Sequence, residues 1–147
     1  MTDATITARK TWMAVLAKAA PARLAALLPD LPEHAVLRAP EIGAVMVRGR
    51  IGATGAPFNL GEMTVTRCAV RLGSGQVGHA LVQGRNKDHA TRAAVLDALL
   101  QSGDAARQKA AVIDILAAEA AAAAALRAGK AAATKVDFFT LVRGEDQ

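Results

Sequence analysis

The chain has 147 residues, which fits one folded domain over residues 1–147, and its 52% of hydrophobic residues are largely alanine, with 3% aromatic residues. The net charge of +5 indicates an anionic partner, and a nucleotide, a phosphorylated metabolite, nucleic acid or an acidic protein face would each fit. A single cysteine, Cys68, excludes an internal disulfide and a cysteine-ligated metal site in this chain alone. Because no run of about eighteen strongly apolar residues occurs, we expect a soluble, cytoplasmic protein that does not bind membranes.

The first predicted element is a helix over residues 7–28, where large apolar residues recur at spacings of three and four. Pro21 interrupts or restarts this helix, and Pro29 and Pro32 end it, because the residue before a proline is pushed out of helical geometry. The period then changes to two over residues 37–52, which predicts a strand. Its alternation places Met46, Arg48 and Arg50 on one face, and Val45, Val47 and Ile51 on the other.

Two further strands are predicted after a loop that runs from Gly52 to Gly61. The alternation over residues 63–72 places Arg67 and Arg71 on one face and Cys68 on the other. Gly73, Ser74 and Gly75 form a hairpin-like connection to a strand over residues 77–83, so these strands are predicted to be antiparallel neighbours. His79, Leu81 and Gln83 share one side of this third strand.

The second half of the chain is predicted to be helical. Asn86 or Asp88 can cap a helix that runs to about Leu100, and a break at residues 102–103 separates it from an alanine-rich helix that begins near Asp104. Residues 135–142 predict a final strand or an extended docking segment. The order of elements predicts an α+β fold, with a mainly antiparallel sheet of about four strands packed with an N-terminal helix and two later helices.

The candidate site residues are mainly arginines and glycines of the strand region, because guanidinium groups and exposed backbone N–H groups both bind anions. The glycine spacing matches neither a P-loop nor a dinucleotide-binding fingerprint, so a structural turn is the simpler interpretation of most of these glycines. If the first two strands are neighbours in a suitable register, their arginines converge; the alternatives are a solvated sheet face and a partner interface. The candidates for binding a phosphate group or a partner are Arg48, Arg50, Gly52, Gly55, Asn59, Arg67, Arg71, His79 and Arg85.

The sequence offers no catalytic or metal-binding motif. His79 has the titration range of a general acid or base, but a hydrogen-bonded histidine in a sheet is the simpler interpretation. The three histidines have no metal-ligand spacing, and Cys68 is predicted to be a buried thiol. We therefore predict no catalytic residue, no metal and no cofactor bound by this chain alone.

Four phrases of the chain resemble a known family. They are WMAVLAKA, then LRAPEIGAVMVRGRIGATGAPFNLGEMTVTRCAVRL, GHALVQGRNKDHA and the terminal TKVDFFTLVRGED. Together they are similar to PhnG, the G subunit of the bacterial carbon-phosphorus lyase core complex. The resemblance covers nearly the whole chain, and the alanine-rich tract carries the least identifying information.

The resemblance implies an accessory role in organic phosphonate catabolism, beside the H, I and J subunits. In that family context the complex joins a phosphonate to C1 of the ribose of ATP and displaces adenine, which gives a ribose 1-phosphonate 5-triphosphate. The I subunit is considered the main catalyst of this step. The iron-sulfur cluster and S-adenosylmethionine belong to the J subunit, so this chain is expected to be a non-catalytic subunit of a transferase complex.

The sequence is also compatible with two other classes of function. A stand-alone enzyme that binds phosphate or nucleotides would use the arginines and His79. An RNA-binding module would use the positive charge, but it lacks an aromatic stacking platform because there is no tyrosine and only three phenylalanines, so no nucleic-acid partner is expected. The subunit interpretation also implies that the isolated chain can expose apolar surface and associate with itself.

Overall fold

The computed structural model describes residues 3–136 of the chain. Two helices come first, α1 (Asp3–Lys18) and α2 (Pro21–Leu27), followed by strands β1 (His34–Arg50), β2 (Pro57–Leu72) and β3 (Val77–Gln83). The helix α3 (Lys87–Leu99) then precedes α4 (Ala105–Gln108), a π-helical turn (Lys109–Ile113) and α5 (Asp114–Ala133). This order confirms the predicted α+β class.

The three strands of the described region form one antiparallel sheet in the order β1-β2-β3. A tight turn joins β2 to β3, with Gly75 at φ +95°, a left-handed conformation that favours glycine. The pairing of Ala69 with His79 and of Arg67 with Leu81 confirms that β2 and β3 are antiparallel neighbours. Of the predicted final strand over residues 135–142, all but Lys135 and Val136 lies outside the described residues.

One prediction for the strand region is wrong in part. The loop predicted from Gly52 to Gly61 ends at residue 56, because Pro57–Gly61 belongs to β2 and pairs with residues 47–50 of β1. Pro57 is the first residue of its strand, a position where the missing N–H costs no ladder hydrogen bond. β1 also begins at His34, before the predicted start, and a register shift between Arg38 and Glu41 accommodates Pro40 on this edge strand.

The core lies between the helices and one face of the sheet. The alternation in β2 and β3 places Cys68, Val70 and Val82 against the helices, and the alanine-rich surface of α3 allows close approach. The strand β3 and the helix α3 approach each other closely at Gly78, where an added Cβ would lie 1.9 Å from the backbone oxygen of Ala94. Small residues in α3 and β3 therefore set the distance between the two layers.

The first helix begins at Asp3, before the predicted residue 7, whereas the predicted helix starts at Pro21 and Asn86 are confirmed. Pro21 is the first residue of α2, so it restarts the helix, and the Asn86 side chain caps α3 by accepting a hydrogen bond from the His89 N–H at 2.9 Å. In α5 only Leu116 is buried. The alanine tract is therefore helical by intrinsic propensity with little packing, as its composition predicts.

Candidate functional site

Three of the predicted site residues share the sheet face that the helices leave uncovered, which we call the open face. Arg67 and Arg71 are two residues apart on β2, and Ala69 between them pairs with His79 on β3. Directly paired residues of antiparallel strands point to the same face, so the three side chains lie together. The period of two groups Arg67 with Arg71, and the pairing of β3 with β2 adds His79.

The charge of Arg67 is partly neutralised on this face. Its guanidinium forms an ion pair with Glu41 of β1 at 3.0 Å, with the two side chains 50% and 57% exposed. Such an exposed pair contributes little to stability because water screens it. Arg67 can therefore exchange Glu41 for another anion at small cost.

Arg38 is a basic residue of the open face that the sequence prediction missed. It lines a shallow depression together with Leu37, Arg67, His79 and Leu81. Among residues 3–136 no carboxylate lies within ion-pair distance of Arg38. Because the pairing of β1 is irregular around Pro40, a period of two cannot predict on which face of the sheet the Arg38 side chain lies. The only signal in the sequence was an arginine in the phrase LRAPE, near the start of the predicted strand.

The remaining strand candidates lie on a two-stranded extension of the sheet, residues 43–64, which we call the arm. Arg48 pairs with Asn59, and Arg50 Nη1 donates to the Gly55 carbonyl at 3.0 Å across the turn. The turn needs its glycines, since Gly52 has φ +57° and a Cβ at Gly55 would lie 2.7 Å from the Ile51 oxygen. Gly52 and Gly55 therefore have a structural role in shaping the tip of the arm.

The four strand arginines do not converge. Glu41 pairs with Arg67, and Arg48 lies seven residues further along β1, which corresponds to roughly 20 Å at the rise of a strand. The register of β1 on β2 therefore separates the arm arginines from those of the open face. A single pocket that uses all four is ruled out by this distance.

Arg71 lies at the end of the open face, and Arg85 lies outside both the open face and the arm. Arg71, although on the open face, lines a depression at the far end of β2 with Glu33, His34 and Gly73. Arg85 is exposed in the connection to α3, just after Gly84 with φ +89°. Neither has an ion-pair partner within residues 3–136.

A buried polar network lies on the helix side of the sheet, and the sequence pattern did not predict it. Asp97 of α3 is fully buried and accepts hydrogen bonds from Arg9 Nη2 at 2.6 Å, Arg9 Nε at 3.1 Å and Trp12 Nε1 at 2.8 Å. It also accepts from the backbone N–H of His79 at 2.9 Å. The network thereby fixes α1, α3 and β3 relative to one another. The signal in the sequence was an acidic residue inside the apolar phrase AVLDALL.

Two titratable groups in the core have shifted pKa values. Burial lowers the pKa of His89, whose Nε2 is 3.0 Å from the Leu16 carbonyl and whose Nδ1 has no hydrogen-bond partner among residues 3–136. Burial also raises the pKa of the Cys68 thiol, which donates to the Arg38 carbonyl at 3.4 Å and is thus a buried thiol, as predicted. Both groups face the core rather than the open face.

Comparison with known proteins identifies the relatives of this chain. The model of the family described as "Phosphonate metabolism protein PhnG" matches residues 7–144. A protein of Rhizobium meliloti (strain 1021), named alpha-D-ribose 1-methylphosphonate 5-triphosphate synthase subunit PhnG, is 46% identical in an alignment 147 positions long that covers 98% of this chain and 94% of the relative. The chain belongs to the PhnG family.

The match to the PhnG family includes the arm, the open face and the Asp97 network. Between residues 3 and 136 of this PhnG-family chain, no histidine ring is hydrogen-bonded to a carboxylate or to a hydroxyl or thiol nucleophile. The described part of the chain also contains no cluster of three or more potential metal ligands. No helix in it is long and apolar enough to cross a membrane.

Proposed function

We propose that this chain is an accessory, non-catalytic subunit of a synthase that makes ribose 1-phosphonate 5-triphosphate from ATP and a phosphonate. The observation that carries the proposal is the 46% identity, over nearly the full length of both chains, to a protein named as a subunit of alpha-D-ribose 1-methylphosphonate 5-triphosphate synthase. The partners would be the H, I and J subunits of the carbon-phosphorus lyase core complex. The iron-sulfur cluster and S-adenosylmethionine would be held by a partner.

The character of the exposed surfaces supports a binding role. The open face combines the apolar Leu37 and Leu81, about half exposed, with the cationic Arg38 and Arg67. Apolar surface beside arginine is typical of protein interfaces, because apolar burial supplies affinity and the guanidinium group supplies directed hydrogen bonds. We therefore assign the candidate arginines and His79 to surfaces that face a partner or the anion that the partner binds.

Reconstitution tests this proposal directly. The H, I and J subunits are assembled with and without this chain, and adenine release is measured after ATP and methylphosphonate are added. We expect both the yield of the assembly and the rate of adenine release to fall when the chain is omitted. Unchanged assembly and unchanged adenine release would contradict the proposal.

Calorimetry of the isolated chain distinguishes the subunit from a stand-alone nucleotide-binding enzyme. A subunit whose arginines lie on two separate surfaces is expected to bind ATP weakly by itself, because no site gathers enough cations around the triphosphate. Tight, stoichiometric ATP binding by the chain alone would favour the enzyme instead.

A further inference from the structure

The arm extends beyond the hydrophobic core. β3 ends at Gln83, which pairs with Val65, so within residues 3–136 the segment 43–64 forms a hairpin with only two strands. No residue of the arm is buried, and none belongs to the core cluster. A two-stranded hairpin is marginally stable in water, since it has no third strand or helix to cover its apolar side chains. The arm is therefore a part of the fold that gains from an external partner.

One face of the arm is apolar. Val45 and Val47 share it with Met63, and these three side chains are half-buried by their neighbours. Phe58 and Leu60 lie on the same face, since both would contact a Cβ added at Gly49. Phe58 remains 40% exposed and Leu60 65% exposed, and Ile51 at the tip is 73% exposed. These three residues, together with Met46, which is 51% exposed on the opposite face, are the large apolar groups that the arm offers to a partner.

The opposite face of the arm, which we call the basic face, carries two arginines beside the paired residues Met46 and Glu62. Arg48 and Arg50 alternate with the half-buried residues of β1, and both are exposed. No carboxylate of residues 3–136 lies within ion-pair distance of either. With Glu62 as the arm's one carboxylate, two arginines and one glutamate leave the arm with a charge of +1. The arm and the whole chain, with its net charge of +5, are both positive, so charge disfavours a second copy and favours an acidic partner.

We propose that the arm docks into another subunit of the synthase, with Phe58, Leu60 and Ile51 in an apolar groove and Arg48 and Arg50 against carboxylates at the groove's margin. The inference rests on the proposed function, because it takes the partner from the same assembly. The free edge of β1 adds to the surface: from Gly43 to Arg50 it contains no proline or lysine, the residues that commonly protect an edge from pairing. Docking would thus cover the apolar face and the open edge together.

Leu60→Ser with a matched control tests the apolar contact. Leu126 of α5 is 62% exposed, against 65% for Leu60, so Leu126→Ser makes the same chemical change at equal exposure outside the arm. Each full-length variant is coexpressed with the H, I and J subunits, and its recovery with a tagged partner subunit is quantified. We expect Leu60→Ser to weaken association at least tenfold and Leu126→Ser to leave it within twofold of wild type.

A charge-reversal pair tests the basic face. The double variant Arg48→Glu, Arg50→Glu is compared with Arg127→Glu, Lys130→Glu, which reverses two exposed cations on α5. We expect only the arm variant to lose association, and to lose it at low as well as at moderate salt. Circular dichroism and urea midpoints should match wild type for all four proteins, because none of the changed side chains is buried.

The outcomes separate this inference from the proposed function. If wild type does not assemble with the other subunits, the proposed function fails. If wild type assembles and both arm variants associate as well as wild type, the docking arm is wrong and the subunit role stands. Equal weakening by Leu126→Ser would overturn the assignment to the arm. Loss of self-association alone in Leu60→Ser would show that a second copy occupies the surface.

Discussion

Asp97→Ala removes the acceptor on which the contact of α1, α3 and β3 depends. Its carboxylate accepts from the Arg9 guanidinium, from the Trp12 indole and from the His79 backbone, at distances of 2.6–3.1 Å. The alanine offers no acceptor to any of these donors. The variant therefore leaves polar groups of both α1 and β3 without their partner at once.

The magnitude follows from the burial of each donor. Trp12 Nε1 and the His79 N–H become unsatisfied in the protein interior, and each such group costs about 1–3 kcal/mol. Loss of the ion pair destabilises the protein less at Arg9 than at a fully buried cation, because the Arg9 side chain is 21% exposed and can turn toward water. Removing one partner of a buried ion pair generally costs about 3–5 kcal/mol. We expect Asp97→Ala to lower the free energy of unfolding by about 4 kcal/mol.

Urea denaturation followed by circular dichroism measures this loss. Asp88→Ala is the control on the same helix, since the Asp88 carboxylate also pairs with an arginine, Arg92, but is 63% exposed. It should lose less than about 1 kcal/mol. A loss below about 1 kcal/mol for Asp97→Ala as well would refute the reasoning that this network holds the layers together.

Three further predictions concern the core. The pKa of His89 is lowered in the folded state, so as pH falls below the ordinary histidine pKa of 6.5 the unfolded state binds a proton before the folded state does. The free energy of unfolding should therefore fall upon acidification through this range. The fall should be less steep in His89→Gln. Equal pH dependence of urea unfolding in both proteins would contradict this. Cys68 should react with a thiol reagent only after unfolding, so a rapid stoichiometric reaction of the native protein would disprove its burial. Gly78→Ala should lower the free energy of unfolding by about 3 kcal/mol or more, because the new Cβ would overlap the Ala94 oxygen. Gly73→Ala is the control, since a Cβ there would meet no atom within 4 Å. Equal urea midpoints for the two variants would argue against close packing at Gly78.

Local physics explains why much of this fold could be predicted from the sequence. The period of two in β2 and β3 placed Cys68 inside and Arg67 outside, because side chains alternate along any strand. Pro21 and Asn86 marked helix starts for equally local reasons, a fixed φ and a side-chain acceptor. These features depend on residues a few positions apart, which a sequence displays directly.

The candidate site needed the tertiary structure because its geometry depends on pairing between distant segments. Whether Arg48 meets Arg67 is decided by the register of β1 on β2, which a short alternating pattern leaves open. The strand at Pro57–Gly61 likewise exists because β1 supplies its pairing partner, against the turn chemistry of its own residues. Composition therefore determined the positive charge of the chain, from which we predict an anionic or acidic partner. Only the tertiary structure divided the arginines between the open face and the arm, because the division depends on the register of β1 on β2 and on the end of β3 at Gln83.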